Sequence, residues 1–248
     1  MCGRYALELT TEQVVTALES NGLRIDNVYD AERGLESLNI APTSYEPVYY
    51  KENDEHNLRY MHWGLVPSFA HEVFKFPTHN CKSDSLAHLK PMWRSAKTRR
   101  AAVPMQGYYE WHSEGKKKLP YYFKDKDAEL LCVLGIWDRN EHVEDSLYSF
   151  SIVTTDAGSS IEHVHHRMPC IVRFEDAIEW IDGNWPKVLD LIMSKDDLEF
   201  YRVSTAVNKI GSKGQLNEPL KEEEVAQVGD KRQSTMDSFF SPKRIKKE

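Results

Sequence analysis

A chain of 248 residues, 40% hydrophobic and 29% charged, has room for one large domain with a polar tail or for two small domains. No run of about 18 apolar residues is present to span a membrane, and the start lacks the basic-then-apolar layout of a signal peptide. The 4 cysteines, Cys2, Cys81, Cys132 and Cys170, contain no C-x-x-C pair, which excludes zinc spacing, argues against a disulfide framework and places the chain in a reducing compartment. The net charge of −7 counts against wholesale duplex binding, but it is unevenly spread. Residues 231–248 carry 6 basic and 2 acidic side chains, leaving about −11 on the rest. Within that acidic body, residues 87–100 hold Lys90, Arg94, Lys97, Arg99 and Arg100 with no acid. Such a stripe suits a short strand of nucleic acid, and it equally suits a solvated helix face.

Thr10-Thr11-Glu12-Gln13 reads as a capping box; Val14, Val15 and Leu18 then make an apolar stripe, and Gly22 ends the helix. Aromatic and β-branched runs predict strands over 46–50, 58–66, 101–111, 120–124, 129–137, 148–155 and 168–172. Residues 83–93 read as helical until Pro91 interferes, and 174–181 and 186–193 read as later helices. Strands dominate the middle without a βαβ rhythm. The expected fold is α+β: a mainly antiparallel sheet, curled or barrel-like, with flanking helices. From about Asn217 the composition turns polar and basic, so residues 2–216 are expected to form the domain and 217–248 a disordered tail. Cys81, Cys132 and Cys170 sit in or beside apolar stretches and are expected to be buried.

Cys2 carries the most chemistry. An initiator methionine before a small residue is usually removed, which would leave an α-amine titrating near ~7.7–8.0 and a thiol near ~8.5 on one residue. The amine condenses with an aldehyde to an imine, and the thiol closes on the imine carbon to give a thiazolidine. Taken alone, Cys2 is equally a small residue at a frayed terminus. Other polar residues stand out against apolar flanks. Glu110 lies between aromatic residues in a predicted strand, where a carboxylate is costly unless it is paired or functional; a salt bridge and a catalytic role both fit. His165 precedes Arg167 at the mouth of an apolar segment, a place for a structural hydrogen bond as much as for catalysis. Asn80 fits a turn, and Trp63 fits the core.

Together these residues form a pattern. Cys2-Gly3-Arg4-Tyr5, Asn39-Ile40-Ala41-Pro42-Thr43, Trp63-Gly64-Leu65-Val66-Pro67, Asn80-Cys81-Lys82-Ser83-Asp84, Gly107-Tyr108-Tyr109-Glu110-Trp111 and His165-x-Arg167-Met168-Pro169 follow in order across residues 2–210. In this the chain resembles the SRAP family, named for SOS-response-associated peptidases, whose members process abasic sites in DNA; Val203-Ser204 and Val207-Asn208 look like its closing strand. The resemblance implies that mature Cys2 crosslinks to the opened sugar of an abasic site in single-stranded DNA, with Asn80, Glu110 and His165 in the active site. The family commonly has Arg where this chain has Lys82, which cannot make a forked contact, and Glu where it has Asp84.

On this reading a protonated His165 donates to the sugar ring oxygen, the Cys2 amine attacks the aldehyde, and the thiol closes the ring. Glu110 takes the amine proton, orients the hydroxyl or assists imine formation, and Asn80 positions the terminus or the sugar. No metal and no organic cofactor is required. Arg4, Lys82 and Arg167 are the expected backbone contacts, and Trp63 is expected to stack on a flanking base, worth about 1–3 kcal/mol. A Schiff base also invites β-elimination, so a weak lyase activity accompanies the crosslink.

In the tail, Gln233, Met236, Phe239 and Phe240 fit the pattern Q-x-x-M-x-x-F-F. This resembles the peptide recognised by the eukaryotic sliding clamp PCNA: one helical turn makes an apolar plug of Met236, Phe239 and Phe240, and Gln233 fills a polar pocket. Lys243-Arg244-Ile245-Lys246-Lys247 reads as a nuclear import patch, which places the protein in the nucleus. Two other readings compete: a peptidase using Cys2 as an N-terminal nucleophile, with removal of its own Met1 as its reaction, and a noncatalytic clamp-bound reader of modified DNA.

Overall fold

The computed structural model describes residues 2–75, 77–143 and 146–221. The tail residues Gln233, Met236, Phe239 and Phe240 and the import patch lie outside them. In chain order the elements are β1 (Tyr5–Leu7), α1 (Thr11–Ser20), β2 (Asn27–Tyr29), β3 (Ser37–Ile40), β4 (Tyr45–Glu52), β5 (Glu55–Trp63), β6 (Asn80–Lys82) and α2 (Ser83–Ala87). There follow β7 (Arg100–Met105), β8 (Gly107–Glu114), β9 (Lys117–Lys124), β10 (Leu131–Asn140), β11 (Leu147–Asp156), β12 (Arg167–Pro169), β13 (Ile171–Val172), α3 (Phe174–Asp182) and β14 (Glu199–Arg202).

The strands form two sheets. The larger runs β12-β11-β10-β7-β4-β5-β2, and β11 also pairs in parallel with β5, so β11, β10, β7, β4 and β5 close into a five-stranded barrel. The smaller is ordered β14-β9-β8-β1-β3. The α+β class and the barrel-like curl are as the sequence implies. β10 is an almost continuous buried run because one face lines the barrel and the other lies under α3, whose Trp180 indole donates to the Gly135 carbonyl at 3.0 Å. Inside, Trp63 packs between Tyr5, with ring centroids 5.0 Å apart, and Phe150, stacked at 6.3 Å.

The capping box on α1 forms as read: the Gln13 amide donates to the Thr10 hydroxyl at 3.3 Å, and the Gln13 side chain accepts from the Thr10 amide at 2.9 Å. The differences from expectation are local. The strand predicted over 101–111 is two strands. The chain leaves the barrel at Gln106, whose amide donates to the Ala6 carbonyl at 2.9 Å, and enters the second sheet at Gly107. A Cβ on Gly107 would collide with the Phe123 carbonyl oxygen, so only glycine fits this crossing. The helix expected over 83–93 stops at Ala87, and Pro91–Lys97 continues as a 3₁₀ turn. The segment expected as a helix over 186–193 is likewise 3₁₀, at Lys187–Leu191. The closing strand is Glu199–Arg202, upstream of Val203, and Val207 and Asn208 end a 3₁₀ turn instead.

The basic stripe of residues 87–100 is not one solvated face. Arg100 is buried, and its guanidinium donates to the carbonyls of Trp180, Ile181 and Gly183 at the end of α3 and to those of Ala96 and Lys97. These are the orphan carbonyls of helix ends, and a buried cation satisfies them. Arg99 pairs with Asp138.

Candidate active site

Four side chains meet at the seam between the sheets. Cys2 lies just ahead of β1. β1 pairs with β8 in the register Tyr5 to Tyr108, and the Tyr109 amide donates to the Arg4 carbonyl at 2.9 Å, so Glu110 runs beside the start of the chain. The smaller sheet thus supplies Cys2 and Glu110. The larger sheet supplies the other two, both anchored on β11. β6 pairs in parallel with it, setting Asn80 beside Ile152, and β12 pairs antiparallel, setting Arg167 beside Asp156 and His165 just ahead of the strand. Asn80 Nδ2 donates to the Cys2 carbonyl at 2.6 Å, and His165 Nε2 lies 3.9 Å from Glu110 Oε2. The four residues singled out from sequence therefore come together from four separate strands or strand ends.

The electrostatics follow from burial. Cys2 is fully buried, and desolvation, with the Glu110 charge adding to it, pushes its thiol far above the ordinary value. Glu110 is only 3% exposed, and burial raises its carboxyl to about 7. Burial lowers His165 to about 4. Near neutral pH the pair is therefore a half-protonated carboxyl facing a neutral imidazole. Burial thus favours the neutral form of both groups. His165 Nδ1 lies 3.0 Å from both the amide nitrogen and the carbonyl oxygen of Arg167. The ring is thus held in either tautomer, accepting from the amide or donating to the carbonyl, with its Nε2 on the side of Glu110.

The residues expected to grip DNA divide. Lys82 is exposed. Trp63 is fully buried against Tyr5 and Phe150 and offers no face to a base; its indole instead donates to the His79 carbonyl at 3.0 Å, bracing the residue before Asn80. Arg4 is buried, donating to Asn39 Oδ1 at 2.5 Å and to the Val207 carbonyl at 2.8 Å, which pins the strand that follows Cys2. Arg167 donates to Asp156 at 2.6 Å and to the Thr154 carbonyl at 2.5 Å, fixing the turn that carries His165. In this structure Arg4, Trp63 and Arg167 hold the frame of the site through these bonds.

Two aromatic residues are given no role in the sequence reading. Trp111 follows Glu110, is half-buried, and donates from Nε1 to Asn208 Oδ1 at 2.6 Å, with the Arg4 guanidinium 5.8 Å from its ring centre. Phe69 is 57% exposed and, with Met92 and Arg94, lines a groove of about 460 Å³. Position beside Glu110 and a phenylalanine set in a polar loop after Pro67 were the available signals. Among the described residues no group of three His, Cys, Asp or Glu side chains is placed to hold a metal ion.

The SOS response associated peptidase (SRAP) family profile matches residues 1–210. The chain belongs to the SRAP family. Relatives within it include the abasic site processing protein YMR114C of Saccharomyces cerevisiae, 31% identical over 283 residues, covering 100% of this chain and 73% of that protein. The abasic site processing protein HMCES of Gallus gallus is 32% identical over 252 residues, covering 85% of this chain and 75% of that one. A Bacteroides thetaiotaomicron protein of known crystal structure superposes with a TM-score of 0.74 at 22% identity, covering 89% of this chain and 100% of that one, and shares the fold.

Proposed function

We propose that this SRAP protein captures abasic sites in single-stranded DNA as a thiazolidine formed on Cys2 once Met1 has been removed. One observation carries the reading: Cys2, Asn80, Glu110 and His165 converge, with a buried carboxyl 3.9 Å from an imidazole. The names of the relatives support the substrate.

The closed abasic sugar opens when a base takes the C1′ hydroxyl proton and an acid protonates the ring oxygen. Neutral His165 is suited to the first task and protonated Glu110 to the second. The Cys2 amine then adds to the aldehyde, and the carbinolamine loses water, the hydroxyl leaving with a proton returned from His165. The thiol adds across the C=N bond; its proton passes to the ring nitrogen, with Glu110 as carrier. One water is released in all. Asn80, bound to the Cys2 carbonyl, holds the residue so that amine and thiol face one carbon, the source of the proximity gain. The half-buried ring of Trp111 takes over the base-stacking role expected of Trp63, and Lys82 serves as a phosphate contact. Stalled imine permits β-elimination, a weak lyase reaction.

Incubation of the purified chain with a single-stranded oligonucleotide bearing one abasic site tests this. A heat-stable, slow-migrating species is expected, and cleavage of peptides with no such species would favour the N-terminal-nucleophile peptidase instead. For the segment 233–240 the reading remains a PCNA-binding plug, and for 243–247 nuclear import; the sequence pattern supports both.

A further inference from the structure

A groove of about 830 Å³ runs along α1, between the helix and the 125–130 loop. Burial of Val14 and Leu18 on one side of α1 turns Glu12, Thr16 and Ser20, each one turn from the next, into the groove. Half-buried Leu9 and Phe174 and buried Leu130 make its floor apolar. Exposed Glu12 stands on one wall, exposed Asp127 and Glu129 on the other, and none of the lining residues is basic. The loop's own cation, Lys126, is outnumbered by these acids.

The chain itself carries the complement. Residues 231–248 hold 6 basic and 2 acidic side chains around the apolar Met236, Phe239 and Phe240. They follow the acidic Glu222, Glu223 and Glu224, which the groove's own charge repels, so the match begins at Lys231. The exit of the chain from the domain lies close by. The Leu220 amide donates to the Arg202 carbonyl at 2.9 Å, and β14 runs back from Arg202 to Glu199, about 10 Å, where it pairs with Lys124 just before the loop. A chain of the length of 222–230 reaches up to about 30 Å, enough to carry Lys231 from that exit to the groove. We propose that residues 231–244 dock in this groove of the same chain, Met236, Phe239 and Phe240 on Leu9, Leu130 and Phe174, and Lys231, Arg232, Lys243 and Arg244 on Glu12, Asp127 and Glu129. A short tether keeps the segment at a roughly millimolar effective concentration, so weak contacts suffice and a foreign basic peptide competes poorly. Docking withholds the plug from PCNA, a consequence that rests on the reading of residues 233–240 given above.

The test is zero-length crosslinking of the dilute full chain with a carbodiimide, which bonds lysine amines to carboxylates in contact; linked peptides are then identified by mass. The expected products lie within single chains and join Lys231 or Lys243 to Glu12, Asp127 or Glu129. Their yield is expected to fall at least about fivefold in high salt, and likewise in Met236→Ala with Phe239→Ala and Phe240→Ala. The three acids are exposed, so Glu12→Gln with Asp127→Asn and Glu129→Gln keeps its fold. That variant is expected to bind PCNA at least about threefold tighter than the parent. Crosslinks that avoid these acids, or that join only separate chains, overturn the proposal, as does equal PCNA affinity in parent and variant. PCNA binding by neither chain ends the plug reading alone, and the crosslinks then still decide the docking.

Discussion

Glu110 is held in the seam against its own preference for water, and this has a measurable cost in stability. Its folded value is about 7, against roughly 4.3 for an unfolded chain. Between those values the folded chain keeps a proton the unfolded chain has lost. Stability from this group is therefore full below about pH 4.3, falls by roughly 1.4 kcal/mol per pH unit, and is flat above about pH 7, a loss of about 3–4 kcal/mol. Glu110→Gln abolishes that loss. Calorimetry is expected to show the variant melting several degrees above the parent at pH 8 and close to it at pH 4.5, while its crosslinking rate falls at least about tenfold. A variant less stable than the parent at pH 8 would mean that the carboxylate is a structural ion pair. Cys2→Ala separates the two nucleophiles on one residue. It retains a new α-amine, so borohydride should still trap an imine and strand cleavage should persist, but no heat-stable adduct should form on a denaturing gel.

At the scale of elements, three short strands do the positioning. β1, β6 and β12 are each 3 residues long; β1 and β6 are placed by partners distant in sequence, β12 by the strand just before it. Trp63 braces one of these joints, so Trp63→Ala is expected to cost about 3–5 kcal/mol in denaturant unfolding, with single-strand affinity of the folded fraction changed less than about twofold. A large loss of affinity at unchanged stability would restore its role as a stacking platform. The long strands of the barrel were legible because alternating or wholly apolar runs announce them. The short ones were not: three residues carry no period, and β6 is defined only by its parallel pairing with β11, far downstream in the chain. The break at Gln106 was hidden for a related reason, since β7 and β8 read as one apolar run and only the tertiary pairing divides it. Cys2, Asn80, Glu110 and His165 were legible as an ordered set of motifs. Whether an arginine in those motifs faces solvent was not, because Arg4 and Arg167 are held by Asn39 and Asp156, which no local pattern links to them.

For the whole molecule, the proposed function assigns the chemistry to the acidic body and partner binding to the basic tail. With Arg4 and Arg167 committed to the frame, Lys82 is the exposed cation adjoining Asn80, and Lys82→Gln is expected to weaken single-strand binding and to flatten the slope of log affinity against log salt by about 0.7, leaving the rate at saturating DNA unchanged. An unchanged slope would remove it from the interface. Phe239→Ala with Phe240→Ala should abolish capture by PCNA and leave crosslinking untouched, since on this account the domain carries the chemistry and the tail its address. The most direct measurement is the mass of the DNA-bound N-terminal peptide after nuclease and protease digestion. The expected species begins at Cys2, lacks Met1, and carries the abasic sugar with loss of one water and no free thiol. A conjugate that retains Met1, or one attached at any other residue, would contradict ring closure at the terminus.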